Sequence, residues 1–215
     1  MSMKKEIQKH FLQSQPFSIP MGEDLLNVEL TCPGNEAGII VFTEETLVSR
    51  DSCSQTIAEV FNKHDLATLL PDAPAFVEMH LDVFKMAGRL ERVALWAQRQ
   101  PETANLSLGF FAIGDNAAAA LVAATRHPDL IKAVVLRGGK PDQVLEYLPL
   151  VKAPVLLIAA GRDPGCLRSN RRALEKLNGN STLNVIPHAS QSFREPGVME
   201  ESAQLAALWF LQHLG

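Results

Sequence analysis

The sequence predicts an α/β protein built on a mostly parallel, doubly wound sheet. Short buried apolar runs alternate along the chain with segments of helical periodicity, and this alternation is typical of that class. The chain has 215 residues, of which 47% are hydrophobic and 20% charged, as in ordinary globular proteins. A chain of this length buries about 70% of its unfolded surface in one core. We therefore expect a single domain over residues 1–215, with residues 1–15 as an N-terminal arm or helix.

Apolar runs that end at or near glycine or proline indicate the strands. Continuous runs of this kind are typical of strands covered on both faces, as in a parallel sheet. An antiparallel pair is expected to precede them, formed by Phe17–Pro20 and Leu25–Cys32 with Met21–Glu23 as the turn. The six predicted parallel strands are Gly38–Thr43, Leu66–Leu70, Leu106–Gly114, Ala133–Gly138, Pro154–Gly161 and Thr182–Pro187.

Helices are predicted between these runs. Apolar residues recur at spacings of three and four in Val83–Ala97 and again in Met199–Leu214, which places an apolar stripe on one side of each helix. Further helices are predicted over Ser52–Lys63, Asn116–His127 and Leu167–Leu177. Strands and helices in this order form an open sheet with right-handed crossovers, and ligands bind at the carboxyl ends of its strands.

Several classes of protein are disfavoured by composition. No apolar run approaches the ~20 residues that cross a bilayer, and the N-terminus lacks the apolar region of a secretory signal. Cys32, Cys53 and Cys166 are odd in number and far apart, which favours free thiols in the cytoplasm. The net charge of −4 without a basic block argues against nucleic-acid binding, and no nucleotide motif indicates a cofactor. We expect a monomer or homodimer that binds a small molecule at the strand ends.

The junction after the predicted strand Leu106–Gly114 points to a family. This strand leads directly into the small-residue segment Asp115–Ala120, which resembles the nucleophile elbow of an α/β-hydrolase. From Gly38 to Leu214 the chain is similar to dienelactone-hydrolase-like members of that superfamily, and the resemblance implies the α/β-hydrolase fold. The segments that match, in order, are GIIVFT, LATLLPD, AVVLRGGKPD, LPLVKAPVLLI, AAGRDP and SFREPG.

The same resemblance implies a degenerate catalytic triad. Elbows of this family read Gly-x-Ser-x-Gly, and the match places Gly114 at the serine position. Asp163 matches the catalytic acid, whereas Gln191 occupies the histidine position. A His-Gly pair that shapes the oxyanion side of the family's pocket is replaced by Glu44 and Glu45.

These replacements predict that serine-triad hydrolysis is lost. Glycine has no side chain to attack a carbonyl, and the glutamine amide does not titrate near neutral pH. Loss of nucleophile or base alone costs about 10⁶ in kcat in a well-studied serine protease. Carboxylates in place of donors would also repel an oxyanion. The sequence therefore favours a non-catalytic protein that binds a ligand or a partner; a scaffold without any pocket function is a plainer alternative.

An active hydrolase of small esters, lactones or halides with another nucleophile remains the alternative function. Asp115 is one candidate nucleophile, although we interpret it as the cap of a helix that starts at Asn116. Cys166 is the other candidate, although burial at a helix start would make it inert, and Cys53 is interpreted in the same way. His188 is interpreted as a surface loop residue that could swing toward the pocket.

The remaining candidates lie at the predicted strand ends. Asp163 could pair with Arg162, bind Gln191 or cap a helix that starts near Pro164. The run Arg137–Lys140 is interpreted as solvated surface charge, with an anion site shared with other basic residues as the alternative. A metal site is not expected, because the candidate carboxylates are not spaced along the sequence in the way that metal ligands are. The predicted pocket-lining residues are Glu44, Glu45, Asp72, Asn116 and Arg137.

Overall fold

The computed structural model describes residues 13–43, 52–71 and 82–215 of the chain. Within them, eight strands form one sheet in the order β1-β2-β4-β3-β5-β6-β7-β8. The β1/β2 and β2/β4 pairs are antiparallel and the other pairs are parallel, which confirms the predicted fold class. The strands are β1 (Gln13–Pro20), β2 (Leu25–Cys32), β3 (Gly38–Thr43), β4 (Leu66–Pro71), β5 (Leu108–Ile113), β6 (Ile131–Arg137), β7 (Val155–Ala160) and β8 (Thr182–Ile186).

Helices cover both faces of this sheet. They are α1 (Ser52–Lys63), α2 (Val83–Ala97), α3 (Ala117–Arg126), α4 (Pro164–Leu174) and α5 (Val198–Leu214). The predicted bounds of α1 and α2 are confirmed, whereas α4 begins at Pro164 and not at Leu167. None of the helices in the described ranges is long and apolar enough to cross a membrane.

The N-terminal part of the chain differs from its prediction. Residues 13–15, assigned above to an arm or helix, belong to β1, which pairs with β2 from Gln13 to Pro20. Phe17 on β1 packs edge-on against Trp96 of α2, with ring centroids 5.1 Å apart. The strand extends further than the sequence indicated because its N-terminal residues Ser14 and Gln15 are exposed and lack an apolar signal, whereas Ile19 is buried and Phe17 packs against the core. Residues 1–12 lie outside the described ranges.

Two apolar clusters fill the space between the sheet and its helices. Ile39 and Val41 of β3 point to the cluster beneath α2, α3 and α4, and Ile40 and Phe42 point to the cluster beneath α1 and α5. This alternation is the period of two that a strand imposes on its side chains. Burial on both faces explains why the parallel strands are recognisable as continuous apolar runs.

One aromatic cluster ties the last helix to the centre of the sheet. The rings of Phe42, Phe61 and Phe111 pack with centroids 5.1–5.4 Å apart, and Phe210 of α5 lies 5.7 Å from Phe61. A Cβ atom at Gly109 of β5 would lie 2.6 Å from Cε1 of Phe210. Only glycine at this position therefore lets α5 rest directly on β5.

Candidate functional site

A cavity of about 320 Å³ opens at the carboxyl ends of β5, β6 and β7. It is lined by Gly114 after β5, Arg137 at the end of β6, Asp163 after β7, and Gln191 and Phe193 from the loop after β8. The carboxyl edge of a doubly wound sheet is where ligands of such proteins bind. The structure thus brings together Gly114, Asp163 and Gln191, which the sequence places far apart.

The turn after β5 begins with a residue in the left-handed conformation. Gly114 has a φ of +59° and begins a single 3₁₀ turn, Gly114–Asn116, that leads into α3. This left-handed conformation costs little for glycine and more for other residues. Gly139 packs against the turn, because a Cβ atom there would lie 2.0 Å from the Gly114 carbonyl oxygen. The elbow and the loop after β6 are therefore in backbone contact.

The predicted cap by Asp115 is wrong. The structure places Asn116 at the N-cap of α3, and no side-chain cap bond is made there. Asp115 is exposed and lines the cavity beside Gly114. In the described ranges its carboxylate makes no hydrogen bond to the α3 backbone, because the 3₁₀ turn separates the two.

Asn116 was predicted to line the pocket and is not among the lining residues that the structure describes. Its side chain is buried, with 8% exposure. A 3₁₀ turn has three residues per turn, so neighbouring side chains point about 120° apart. Asp115 consequently faces the cavity while Asn116 faces the interior.

Asp163 caps α4. Its Oδ1 accepts hydrogen bonds from the backbone N–H groups of Gly165 at 2.9 Å and Cys166 at 3.0 Å. Pro164 follows at the first helical position, where its missing N–H is not needed. Of the three roles left open for this carboxylate, the structure selects the helix cap.

The loop after β8 supplies one wall of the cavity. Gln191 is exposed, and Phe193 has a φ of +52°, a value uncommon outside glycine. Glu195 closes the loop by accepting a hydrogen bond from the Ser190 N–H at 2.8 Å. Hydrogen bonds from Ser190 hold the pKa of the Glu195 carboxyl below its usual range. His188 lies on the surface, with Nε2 3.8 Å from Oε2 of Glu201.

Arg137 is buried, which corrects its interpretation as solvated surface charge. Only 4% of the residue is exposed, because it ends β6 beneath the loop after β8. Its Nη2 donates a hydrogen bond to Sγ of Cys53 at 3.2 Å, and its Cζ lies 5.1 Å from the centroid of the Phe193 ring. Lys140 is exposed at the rim, whereas Arg172 pairs with Asp142 at 2.9 Å.

The cysteines of the site differ in their surroundings. Cys53 is buried at the start of α1, as predicted, but it also lines the cavity beside Arg137, which was not predicted from the sequence. The signal was available, since the helix after a parallel strand starts at the carboxyl edge of the sheet. Cys166 also lines the cavity, but burial raises the pKa of its thiol, and the nearby Asp163 charge adds to this.

Some predicted residues cannot be placed. Glu44, Glu45 and Asp72 lie outside the described residues, so their predicted part in the pocket stays a prediction. Among the residues that are described, no group of three or more His, Cys, Asp or Glu side chains could hold a metal ion.

Comparison with known proteins identifies the family, although no protein-family model matches the chain. The crystal structure of dienelactone hydrolase from Anabaena variabilis superposes with a TM-score of 0.89 and 37% sequence identity, over 95% of this chain and 99% of that one. The chain belongs to the dienelactone hydrolase family. The α/β-hydrolase fold implied by the sequence is therefore confirmed.

Other relatives extend the comparison of this dienelactone hydrolase family member. Est1E from Butyrivibrio proteoclasticus has a TM-score of 0.78 at 14% identity, over 92% of this chain and 98% of that one, and shares the fold. Two Mycobacterium tuberculosis proteins, from strains CDC 1551 and H37Rv, are 41% identical over 86% of this chain and carry the provisional name phosphoribosyl transferase. The chain spans 43% of the length of these two relatives.

Proposed function

We propose that this dienelactone hydrolase family member is a non-catalytic protein that binds a small ligand in the cavity at the strand ends. The observation that carries the proposal is Gly114, which has a φ of +59° at the turn between β5 and α3 and lines the cavity. The family resemblance assigns the nucleophile to this position. A glycine there preserves the turn and supplies no attacking atom.

The other two triad positions support the same proposal. Gln191 lines the cavity with an amide that neither accepts nor releases a proton near pH 7. The Asp163 carboxylate binds two backbone N–H groups of α4, a structural role that needs no catalytic partner. Of the described residues that line the cavity, none is a histidine that could act as base.

The proposed function also includes a location in the cell, and it takes no activity from the named relatives. Cys32, Cys53 and Cys166 are all free thiols, which supports a reducing, cytoplasmic location. The name of the mycobacterial relatives supplies no activity for this chain, because the match leaves more than half of their length uncovered.

Restoring the missing groups tests the proposal. We expect the wild-type protein to hydrolyse p-nitrophenyl acetate and dienelactone no faster than buffer. The double variant Gly114→Ser/Gln191→His is expected to gain weak esterase activity, since Asp163 lies in the same cavity. Gly114→Ala is the matched control, because it carries the same left-handed strain, about 1–2 kcal/mol, without a hydroxyl group.

Wild-type turnover that survives removal of trace contaminants would overturn the non-catalytic function. A folded double variant that is as inert as Gly114→Ala would also count against it, because the cavity would then not correspond to the family's active site. Circular dichroism of each variant checks that it is folded.

An active hydrolase with Asp115 as nucleophile is the second candidate. The exposed carboxylate lines the cavity beside Gly114, and in the described ranges it is not consumed as a helix cap. In such a reaction a carboxylate oxygen attacks the carbon of a haloalkane, the halide leaves with the bond electrons, and an alkyl ester remains on the enzyme. Cys166 is the weaker alternative nucleophile, because burial raises its thiol pKa and disfavours the thiolate.

Mass spectrometry separates the two candidates. After incubation with 1-chlorobutane, a butyl adduct on the peptide containing Asp115, absent in Asp115→Asn, would establish the second candidate and refute the first. An adduct of a fluorophosphonate probe on Cys166 would establish Cys166 as a nucleophile and would likewise refute the non-catalytic function. Unmodified protein in both incubations is the result expected for a non-catalytic chain.

A further inference from the structure

Arg137 is a buried cation whose donors are incompletely used. The guanidinium carries five N–H donors, and within the described residues Nη2 donates to the thiol of Cys53 at 3.2 Å. Nε and Nη1 are buried and have no acceptor among the described residues. Because the residue is only 4% exposed and lines the cavity, neither bulk water nor a described carboxylate compensates its charge.

The two described neighbours of Arg137, Cys53 and Phe193, do not neutralise its positive charge. A thiol sulfur is a weak acceptor, and the face of the Phe193 ring attracts a cation without accepting a hydrogen bond from Nε or Nη1 at this geometry. A buried charge without a partner is among the costliest features that a folded protein can contain. Among the described residues, no acceptor with a full negative charge contacts this guanidinium.

The surrounding backbone fixes the guanidinium in place. Phe193 adopts a left-handed φ of +52°, and such strain in a residue other than glycine is concentrated at functional sites. Gly138 lies beside the ring, since a Cβ atom there would be 3.3 Å from its Cε2. The strained loop and the adjacent glycine together place the ring over Arg137.

We propose that Arg137 anchors the phosphate group of a small ligand in this cavity; the inference rests on the proposed function and names the class of its ligand. Lys140 and Arg194 also line the cavity, so three of the described lining side chains are cationic. Two described lining side chains are carboxylates, Asp115 and Asp163, and the latter already accepts two N–H bonds. The excess of positive charge among these described residues favours a phosphate dianion over a carboxylate.

The phosphate does not have to contact Nε or Nη1, which are buried. The guanidinium charge is delocalised over its three nitrogens, so an oxyanion at the cavity-facing edge stabilises the whole group. A cavity of about 320 Å³ lies at the lower end of ligand pockets, which suits a phosphorylated molecule of few atoms. Arginine is also the side chain best matched to phosphate geometry.

Calorimetric titration with inorganic phosphate at constant ionic strength tests the assignment. We expect saturable one-to-one binding to the wild-type protein, weakened by about tenfold or more in Arg137→Gln, because a charge-assisted contact is removed. Arg126→Gln is the matched control: this arginine is partly exposed, pairs with Glu91 at 3.4 Å and lies outside the cavity. The Arg126→Gln variant should bind phosphate as tightly as the wild type does. The wild type should bind acetate more weakly than phosphate.

Thermal melting of Arg137→Met distinguishes ligand anchoring from a structural role. Removal of an uncompensated buried charge should leave the Tm without phosphate unchanged or raise it, and the phosphate-dependent rise in Tm should disappear. A large fall in Tm without phosphate would show that Arg137 is already paired within the chain, which overturns the inference. Absence of phosphate binding by the wild type, or equal affinity for acetate, would also overturn it.

These outcomes are independent of the esterase assays. A wild-type protein that is inert toward esters and binds no phosphate would refute the ligand class while leaving the non-catalytic function intact. A protein that hydrolyses esters and binds phosphate through Arg137 would refute the non-catalytic function and keep the anion site.

Discussion

Replacement of Asp163 by alanine should destabilise the protein through the loss of a helix cap. Oδ1 satisfies two N–H groups at the start of α4, at 2.9 and 3.0 Å. Loss of an N-cap costs about 0.5–2 kcal/mol, and loss of the favourable charge at the helix N-terminus a further 0.3–1 kcal/mol or so. We expect a total of about 1–3 kcal/mol, which lowers the Tm of a chain of this size by roughly 2–12 °C.

Urea denaturation followed by circular dichroism measures this loss, and Asp163→Asn is the matched variant. Asparagine is as good an N-cap as aspartate, so it should retain the hydrogen bonds and lose only the charge contribution. An Asp163→Ala protein as stable as the wild type would refute the cap as an energetic contribution. Equal destabilisation of the alanine and asparagine variants would instead attribute the effect to charge.

Three further outcomes follow from the local structure. Gly139→Ala should destabilise the protein severely, because the φ of Gly139 is +79° and the new Cβ atom would lie 2.0 Å from the Gly114 carbonyl oxygen. Gly179 has no atom within 4 Å of the Cβ position, so Gly179→Ala should leave the free energy of unfolding unchanged or raise it by up to about 1 kcal/mol. Urea titrations measure both effects. The wild type should be more stable than Glu195→Gln at a pH above 4.5, the ordinary pKa of this carboxyl group. The difference should shrink as the pH falls through the lowered pKa of Glu195 in the folded state. Denaturation at pH 7 and at pH 3 measures it. Burial, with help from Glu36 and Glu102, raises the pKa of Cys32 to about 11, so its alkylation by iodoacetamide at pH 8 should be far slower than that of free cysteine.

Each of these outcomes has a clear contrary result. Equal stability of Gly139→Ala and Gly179→Ala would mean that the elbow and the loop after β6 are not in contact. A Glu195→Gln effect that is constant from pH 7 to pH 3 would show that the carboxylate form is not the stabilising one. Rapid labelling of Cys32 in the folded protein would contradict the raised pKa of this half-buried thiol.

The fold was predictable because its signals are local. Continuous apolar runs mark β3 to β7, and the helical periods of α2 and α5 are uninterrupted, so most bounds agree with the structure within a few residues. Where local signals compete, the prediction of helix bounds was less accurate. Asn116 and Asp115 are both good caps, and only the 3₁₀ turn after Gly114 decides which of them precedes α3.

The position of the site was predictable, but the burial and backbone conformation of its residues were less so. The rule that ligands bind at strand ends brought Gly114, Asp163 and Gln191 to one edge, and all three line the cavity. The burial of Arg137 could not be read from the sequence, because an arginine at a strand end is ordinarily solvated. The left-handed φ of Phe193 was equally hidden, since only tertiary contacts impose that conformation on a phenylalanine.

The direct contact between Phe210 and Gly109 connects the packing of α5 to the position of the elbow. The ring supports β5, the strand that ends at Ile113 immediately before the elbow, from a helix far along the chain. Neither residue lines the cavity, yet a change in the size of either side chain would shift β5 and with it the turn at Gly114. The geometry of the cavity therefore depends on packing on the opposite side of the strand from any ligand.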